Sequence, residues 1–547
     1  MQLSLIHAGL LLFLFSGALR AQQSAPAKTA DSPAATKVSG RVTQADTGAP
    51  LRKVNVSLLQ ATLRGRGESF HATTDGAGRF EIADVPAGRY RLQASKPGYV
   101  TFTLGGRRGA PGGFNPFAPP GQDALEISES SPLTGLSLKM EPAAAITGQV
   151  TDEDGDPVSF AQVTVERLRF QPGGHKRLVA AGNTATDDLG NYRLHSLPPG
   201  KYFVSARRDV PGSIAYLPTY YPNSPGSDGA TPIEVRAGTE TRRTDISFRT
   251  GRTFTVTGTV VDGTTGRAPA GYFVGYGTGA SVFGGGAQSR PDGGFTLRNV
   301  PPGRYTVFAQ DTAGRGGRAS RSVEVVAADV QVTLEIGRGA ELHGRIRAED
   351  GSEMESGRLR FDLVPLDQQS AFFGRAGNPG LGGGAFSIRE IPEGEMMLLV
   401  TGLEERYYVK KILAGGVEVT DTGIRFAAGQ VISDAEVLVA ANSAALAGFV
   451  TGRDGQPALA ATVLLIPADE QRRAALRYYR TAVTDHLGRF AVDNIIPGEY
   501  LVLAGEDLDD GAQFDPEFVS RNRTRAARLS AQPSGFHGLD LKLAGVP

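Results

Sequence analysis

Val38-Ser39-Gly40-Arg41-Val42 is the first of five stretches in which glycine stands between branched apolar residues; the others are 146–150, 256–260, 342–346 and 446–450. The copies recur roughly a hundred residues apart, and self-similarity at a fixed period makes each copy one folding unit. A second phrase follows each opener. In the first copy it is Thr74-Asp75-Gly76-Ala77-Gly78-Arg79-Phe80 and then Pro86-Ala87-Gly88-Arg89-Tyr90. It returns as Thr186-Asp187-Asp188-Leu189-Gly190-Asn191-Tyr192 with Pro198-Pro199-Gly200-Lys201-Tyr202, and as Thr484-Asp485-His486-Leu487-Gly488-Arg489-Phe490 with Pro497-Gly498-Glu499-Tyr500. The third copy keeps Gly293-Gly294-Phe295 and Pro301-Pro302-Gly303-Arg304-Tyr305 behind a shortened turn. The fourth keeps Phe386 and Pro392-Glu393-Gly394 but has Met396 in place of tyrosine.

Asp can accept from its own backbone two residues on, Gly supplies positive φ and Pro presets φ before Gly, so each cluster reverses the chain between strands. Between the clusters the residues alternate: Tyr90, Leu92 and Ala94 fall on one face, Arg89, Arg91 and Gln93 on the other, and Tyr305, Val307 and Ala309 repeat the pattern. Short strands with a turn signal every ten or so residues predict an all-β chain, a tandem array of five Greek-key β-sandwiches. The tyrosines after the Pro/Gly turns (Tyr90, Tyr202, Tyr305, Tyr500) occupy equivalent places and read as packing residues that bond the backbone, as in a tyrosine corner.

The opener, the D-x-x-G-x-F/Y turn and the P-x-G-x-Y turn together resemble the carboxypeptidase regulatory-like domain, a transthyretin-like (prealbumin-like) seven-stranded sandwich with a carbohydrate-binding-like fold. The resemblance is clear in copies one, two and five. The order of segments, including Tyr220-Tyr221-Pro222, the stretch 408–412 and Asp515-Pro516-Glu517-Phe518, is similar to multi-module secreted proteins of acidobacteria-like soil bacteria. The resemblance implies a fold and an exported compartment; it brings no catalytic residue.

The expected organisation is a signal peptide at 1–21, a flexible linker at 22–36, and modules at 37–141, 145–250, 254–337, 340–440 and 444–545. Residues 8–15 form a short apolar core followed by small-residue cleavage sites, too short for a membrane span. With no cysteine in the chain, lipoprotein attachment and disulfides are excluded. Linkers of a few residues predict a semi-rigid rod or a compact arc. The 57 basic and 57 acidic residues cancel, leaving no electrostatic footprint for nucleic acid. Arg521, Arg523, Arg525 and Arg528 read as a solvated loop before the last strand. The glycine-rich inserts 105–121 (with Phe114 and Phe117), 274–294 and 374–384 read as exposed loops, because none leaves a strand to open a helix as a phosphate cradle must.

A zinc carboxypeptidase needs His-x-x-Glu plus a distant His. None of the seven histidines (His7, His71, His175, His195, His343, His486, His537) has Glu three residues on, and no Gly-x-Ser-x-Gly elbow occurs. Asp152, Asp154 and Asp156 come nearest to a calcium loop, but Pro157 stands where an EF-hand needs Gly and Val163 where it needs Glu, so the stretch reads as a hairpin turn. No catalytic residue, metal site or cofactor is expected. Tyr216, Tyr220 and Tyr221 form an aromatic group in a Pro-punctuated insert where the repeat demands no aromatics. They are the candidate contact for a glycan or peptide, against the plainer reading that they plug the end of their own sandwich. The absence of Trp weakens the glycan reading. The expected function is a non-catalytic exported binding or adhesion protein of the cell surface or periplasm, with polysaccharide or cell-envelope proteins as partners. The alternatives are a structural spacer in an envelope complex, and an accessory peptidase or glycosidase built from scattered carboxylates.

Overall fold

The computed structural model describes residues 35–543 except 61–67, 105–124, 128–132, 171–173, 175, 209–213, 270, 279–280, 312–316, 352–353, 355–358, 367–375, 380–382, 405, 453, 507 and 509–510. The expected signal peptide at 1–21, nearly all of the expected linker, and Phe114 and Phe117 of the first glycine-rich insert lie outside the described residues.

The first module shows the plan. Strand β1 (Ala35–Gln44) runs antiparallel to β4 (Arg79–Pro86) and parallel to β8 (Leu133–Met140). The facing sheet has the order β3 (Ser69–Thr73), β2 (Asn55–Gln60), β5 (Gly88–Ser95), β6 (Phe102–Leu104), with β7 (Leu125–Ile127) also on β5. Alternation sorts the side chains: Tyr90, Leu92 and Ala94 are fully buried while Arg89 and Arg91 face out. Val38, Val42 and Leu138 close the core from the other sheet.

The same two-sheet plan repeats along the chain. Module 2 consists of β9 (Ala144–Thr151), β10 (Gln162–Phe170), β11 (Lys176–Ala185), β12 (Asn191–Leu197), β13 (Gly200–Arg207), β14 (Ile214–Tyr216), β15 (Thr219–Tyr220), β16 (Ile233–Val235), β17 (Glu240–Thr241), β18 (Ile246–Ser247) and β19 (Thr250–Arg252). In module 3, Phe254–Asp262 lies between antiparallel Gly294–Val300 and parallel Val330–Ile336. In module 4, Ala340–Ala348 lies between Ala385–Ile391 and Val431–Ala440, and Tyr408–Ala414 extends that sheet. In module 5, Ala444–Thr451 lies between Arg489–Ile495 and the parallel pieces Phe536–Gly538 and Leu541–Lys542. Five separate apolar clusters form the cores. Among the described residues no helix is long and apolar enough to cross a membrane.

The two halves of the repeated phrase meet in space. The opener glycine pairs across the sheet with the turn's aromatic in every copy: Gly40 with Phe80, Gly148 with Tyr192, Gly258 with Phe295, Gly344 with Phe386 and Gly448 with Phe490. Each glycine lies beneath that ring and against a carbonyl at the module's closing strand, so a Cβ would strike backbone. Glycine is thus required by close approach, and the aromatic fills the space its missing side chain leaves.

The turn threonines form a buried clip. Thr74, Thr186 and Thr484 accept from the amides of Val54, Ala161 and Ala461 at 2.8, 2.8 and 2.9 Å. Each donates in turn to the carbonyl of Leu51, Val158 or Ala458, at 2.6, 2.7 and 2.5 Å. The neighbouring Asp75, Asp187 and Asp485 each accept two backbone amides within the turn. The tyrosines of the Pro/Gly turn close the other end: Tyr90, Tyr202 and Tyr500 donate to the carbonyls of Pro86, Pro198 and Ile496 at 3.0, 2.7 and 2.7 Å.

Two expectations need correction. The glycine-rich stretch 274–294 is not a loop: Tyr272–Thr278 and Ser281–Gln288 form a hairpin inside a four-stranded sheet. A Cβ on Gly275 would come within 2.7 Å of the Phe308 ring, so its glycine makes room for aromatics of the sheet. Part of 374–384 is likewise a strand, Ala376–Pro379, paired with Arg360–Pro365. The arginine run before the last strand begins in a helix, Pro516–Asn522, which carries Arg521, while Arg528 lies in the strand Ala527–Ala531. Asp515 caps the helix by accepting from the Glu517 amide at 2.9 Å, and Pro516 opens its first turn.

Candidate functional site

One end of module 2 carries an exposed aromatic ring beside charged groups. The insert after β13 folds back as β14, which pairs with β19, and β15, which pairs with β13 through Ser205 opposite Tyr220. The three candidate tyrosines therefore take three directions. Tyr221, like Tyr216, packs on the module's own core, and its amide donates to the Val204 carbonyl at 2.8 Å. Tyr220 turns its hydroxyl to the fully buried Glu166 carboxylate and to Ser205, and burial raises its pKa well above the usual phenol range.

Tyr216 lies at the open end. Its ring stacks on buried Phe248 with centroids 5.1 Å apart and planes 22° apart, leaving the residue half-buried. Its hydroxyl meets the Asp152 side chain, with Arg208 and Asp156 close enough to act on it electrostatically; burial first, then Asp152, raises its pKa. Arg208 also covers Phe160, its guanidinium 5.7 Å from the ring centroid. Phe160 is 64% exposed and held at φ +56°.

Phe160 and Arg208 were not singled out from the sequence, yet a signal for Phe160 existed. It occupies the position of Lys53 in module 1 and Ala460 in module 5, all three in the left-handed region with φ of 56°, 56° and 59°. A bulky aromatic, exposed and in a disfavoured backbone conformation, violates two local rules at once, and such violations concentrate at functional sites.

The acidic turn beside this platform serves its own backbone. Asp152 accepts from the amides of Asp154 and Asp156 at 3.0 and 2.9 Å, and Glu153 accepts from both the amide and hydroxyl of Thr250 at 2.9 Å. Among the described residues no three His, Asp or Glu side chains are grouped to hold a metal ion. What the site offers is one exposed ring under a guanidinium, and one half-buried ring that the same guanidinium and the Asp152 and Asp156 carboxylates act on.

Residues 37–116 and 145–247 match the carboxypeptidase regulatory-like domain family. Colossin-A of Dictyostelium discoideum is 24% identical over 168 residues, which is 30% of this chain but 1% of that protein's length. Among solved structures, the Bacillus anthracis TIE protein is similar at 11% identity over 72% of each chain, with a TM-score of 0.17. A streptococcal ancillary pilin is similar at 11% identity over 55% of this chain and 99% of its own, with a TM-score of 0.19. GBS52, a minor pilin of Streptococcus agalactiae, is similar at 15% identity over 40% and 97%, with a TM-score of 0.22. The chain is a tandem array of β-sandwich modules, the first two of which match the carboxypeptidase regulatory-like domain family over residues 37–116 and 145–247.

Proposed function

We propose that the protein is a non-catalytic binding or adhesion protein, exported to the periplasm or cell surface, that uses the open end of module 2 to hold a polysaccharide. The observation that carries this reading is the exposed Phe160 ring under the Arg208 guanidinium, with Tyr216 near enough to Arg208 and Asp152 to feel their charges. Sugar rings present an apolar face that stacks on an aromatic plane, and their hydroxyls pair with carboxylates and guanidinium at the rim. Of the three tyrosines proposed from the sequence, Tyr216 is the proposed ligand contact because its ring lies beside Arg208 and Asp152, whereas the Tyr220 hydroxyl is engaged by Glu166 and Ser205.

The test is a binding screen of the purified mature chain against insoluble polysaccharides and a glycan array, with Phe160→Ala and Tyr216→Ala variants alongside. Selective binding that each variant weakens at least about tenfold, the loss of roughly 1.4 kcal/mol, is the expected result. Binding that both variants leave untouched would move the site elsewhere, and no binding to any glycan would favour the second reading, a structural spacer. That reading draws on the module junctions, where the Val100 amide donates to the Glu141 carbonyl and the Ala143 amide to the Gly98 carbonyl, each at 2.9 Å.

A further inference from the structure

Between its last two outer-sheet strands, Gly498–Gly505 and Ala527–Ala531, module 5 carries an insert that contains the helix Pro516–Asn522. The insert is anchored to its own module. Leu464, Ile466, Leu501 and Leu503 point away from the main core and form a second cluster with Tyr479 and Val519, against which Leu508, Phe514 and Phe518 pack. Tyr479 and Phe514 meet edge to face at 4.7 Å. The described residues of the insert are therefore packed on their own module, and the outer side is occupied. Gly511, at φ +85°, lies so close to the Phe170 carbonyl of module 2 that no Cβ fits. A side-chain carbon on Gly174, at the tip of the same module 2 hairpin, would lie 3.2 Å from Pro516 Cγ.

The hairpin that receives the insert is itself unusual. Strands β10 and β11 run 9 and 10 residues, against 6 and 5 for the corresponding β2 and β3 and 6 and 4 for Thr462–Pro467 and Arg480–Val483 of module 5. The extra length carries Phe170 and Gly174 out to module 5. A different corner of module 5 reaches module 1: Leu459, Ala460 and Val483 pack against that module's core cluster beside Phe70 and Ala72. The junction with module 4 is fixed by Arg477, which donates to both Asp421 oxygens at 2.6 and 2.9 Å and to the Val409 carbonyl at 3.0 Å.

We infer that module 5 is a closing piece, whose insert docks on the module 2 hairpin while its Leu459–Ala460 corner docks on module 1, so that the five modules form a closed ring in solution. The partner of the insert is the same chain's module 2, not a second copy. The short linkers allow this without a long connection, and once modules 4 and 5 are locked together by Arg477 the insert reaches its target at high effective concentration.

The experiment is small-angle X-ray scattering on the intact chain, with cross-linking as a second readout. Modules of about 13 Å radius of gyration arranged in a ring give an overall radius roughly 1.5-fold smaller than the same modules in line. The expected result is the smaller radius, with Gly511→Val raising it toward the linear value at unchanged β-sheet circular dichroism. Because the chain has no cysteine, Gly174→Cys with Pro516→Cys gives a single addressable pair, and a short bis-maleimide should link it within one chain at high dilution. A linear radius for the unmodified chain overturns the inference. So does a cross-link found only between two chains, or no cross-link although both cysteines label singly.

Discussion

The strand after the Pro/Gly turn is written in two ways. In module 1 it reads Tyr90-Arg91-Leu92-Gln93-Ala94, and only the alternate residues are buried; in module 5 it reads Tyr500-Leu501-Val502-Leu503-Ala504, and all five are. The backbone role is the same in both: the tyrosine hydroxyl donates four residues back, and the strand sits at the centre of its sheet. The difference lies on the outer face. Module 1 presents that face to solvent, whereas module 5 covers it with the insert and its helix. An alternating strand needs one partner layer and a continuous apolar strand needs two, so the change of pattern records a third layer added to the common sandwich.

The largest effect should fall on what the two modules share. Gly40→Val and Gly448→Val each drive a side chain into backbone and into the Phe80 or Phe490 ring, and each should remove more than about 4 kcal/mol from its own module. Peptide-level hydrogen exchange is the measurement to use, because five cores do not unfold as one two-state unit. Equal collapse of both modules supports the common frame; survival of either breaks it.

Next comes the feature that separates them. Leu501→Arg places a charge beneath the module 5 insert and should cost about 3 kcal/mol, with loss of protection across 508–526. The mirror change Arg91→Leu, on an open face, should alter stability by about 0.5 kcal/mol or less. If the two substitutions cost the same, the third layer is not what distinguishes the modules.

Thr484→Val leaves the Ala461 amide and the Ala458 carbonyl buried without their hydroxyl partner. It should cost about 2 kcal/mol, and Thr74→Val should cost the same in module 1. Tyr500→Phe removes one buried hydrogen bond, about 1 kcal/mol, and also bears on alkaline stability. Burial pushes Tyr305, Tyr479 and Tyr500 up from 10 to about 12. With the folded value above the unfolded one, the protonated hydroxyl stabilises fully below pH 10. Between 10 and 12 the unfolded chain ionises first and stability falls. Denaturation midpoints across that range should therefore decline, less steeply in Tyr500→Phe. The smallest change belongs to the surface: Arg79→Ala breaks an exposed pair with Asp75 and should stay within about 0.5 kcal/mol.

The frame was legible because its parts are local. Gly40, Asp75 and Tyr90 each act within a strand or a turn, and a period of about a hundred residues displays them repeatedly. The stretch 274–294 was misread for the opposite reason. Glycine argues against a strand by propensity, and only the Phe308 ring of a neighbouring strand explains why Gly275 belongs in one. The helix Pro516–Asn522 did carry a signal, the Asp-Pro-Glu start of a capped helix. The unbroken apolar runs at 462–467 and 500–504 announced that something must cover them. At the candidate site, the sequence groups Tyr216, Tyr220 and Tyr221, but where each ring packs depends on how β14 and β15 attach to β19 and β13.

The sequence by itself determined the number of sandwiches and their turns, because those rest on backbone conformations within one repeat. Tertiary structure alone decided that Phe160 and Tyr216 share Arg208 while Tyr220 turns to Glu166, and that Gly511 meets Phe170. Residues far apart in the chain are brought together by packing of whole modules, and no local preference encodes which distant surface will fit.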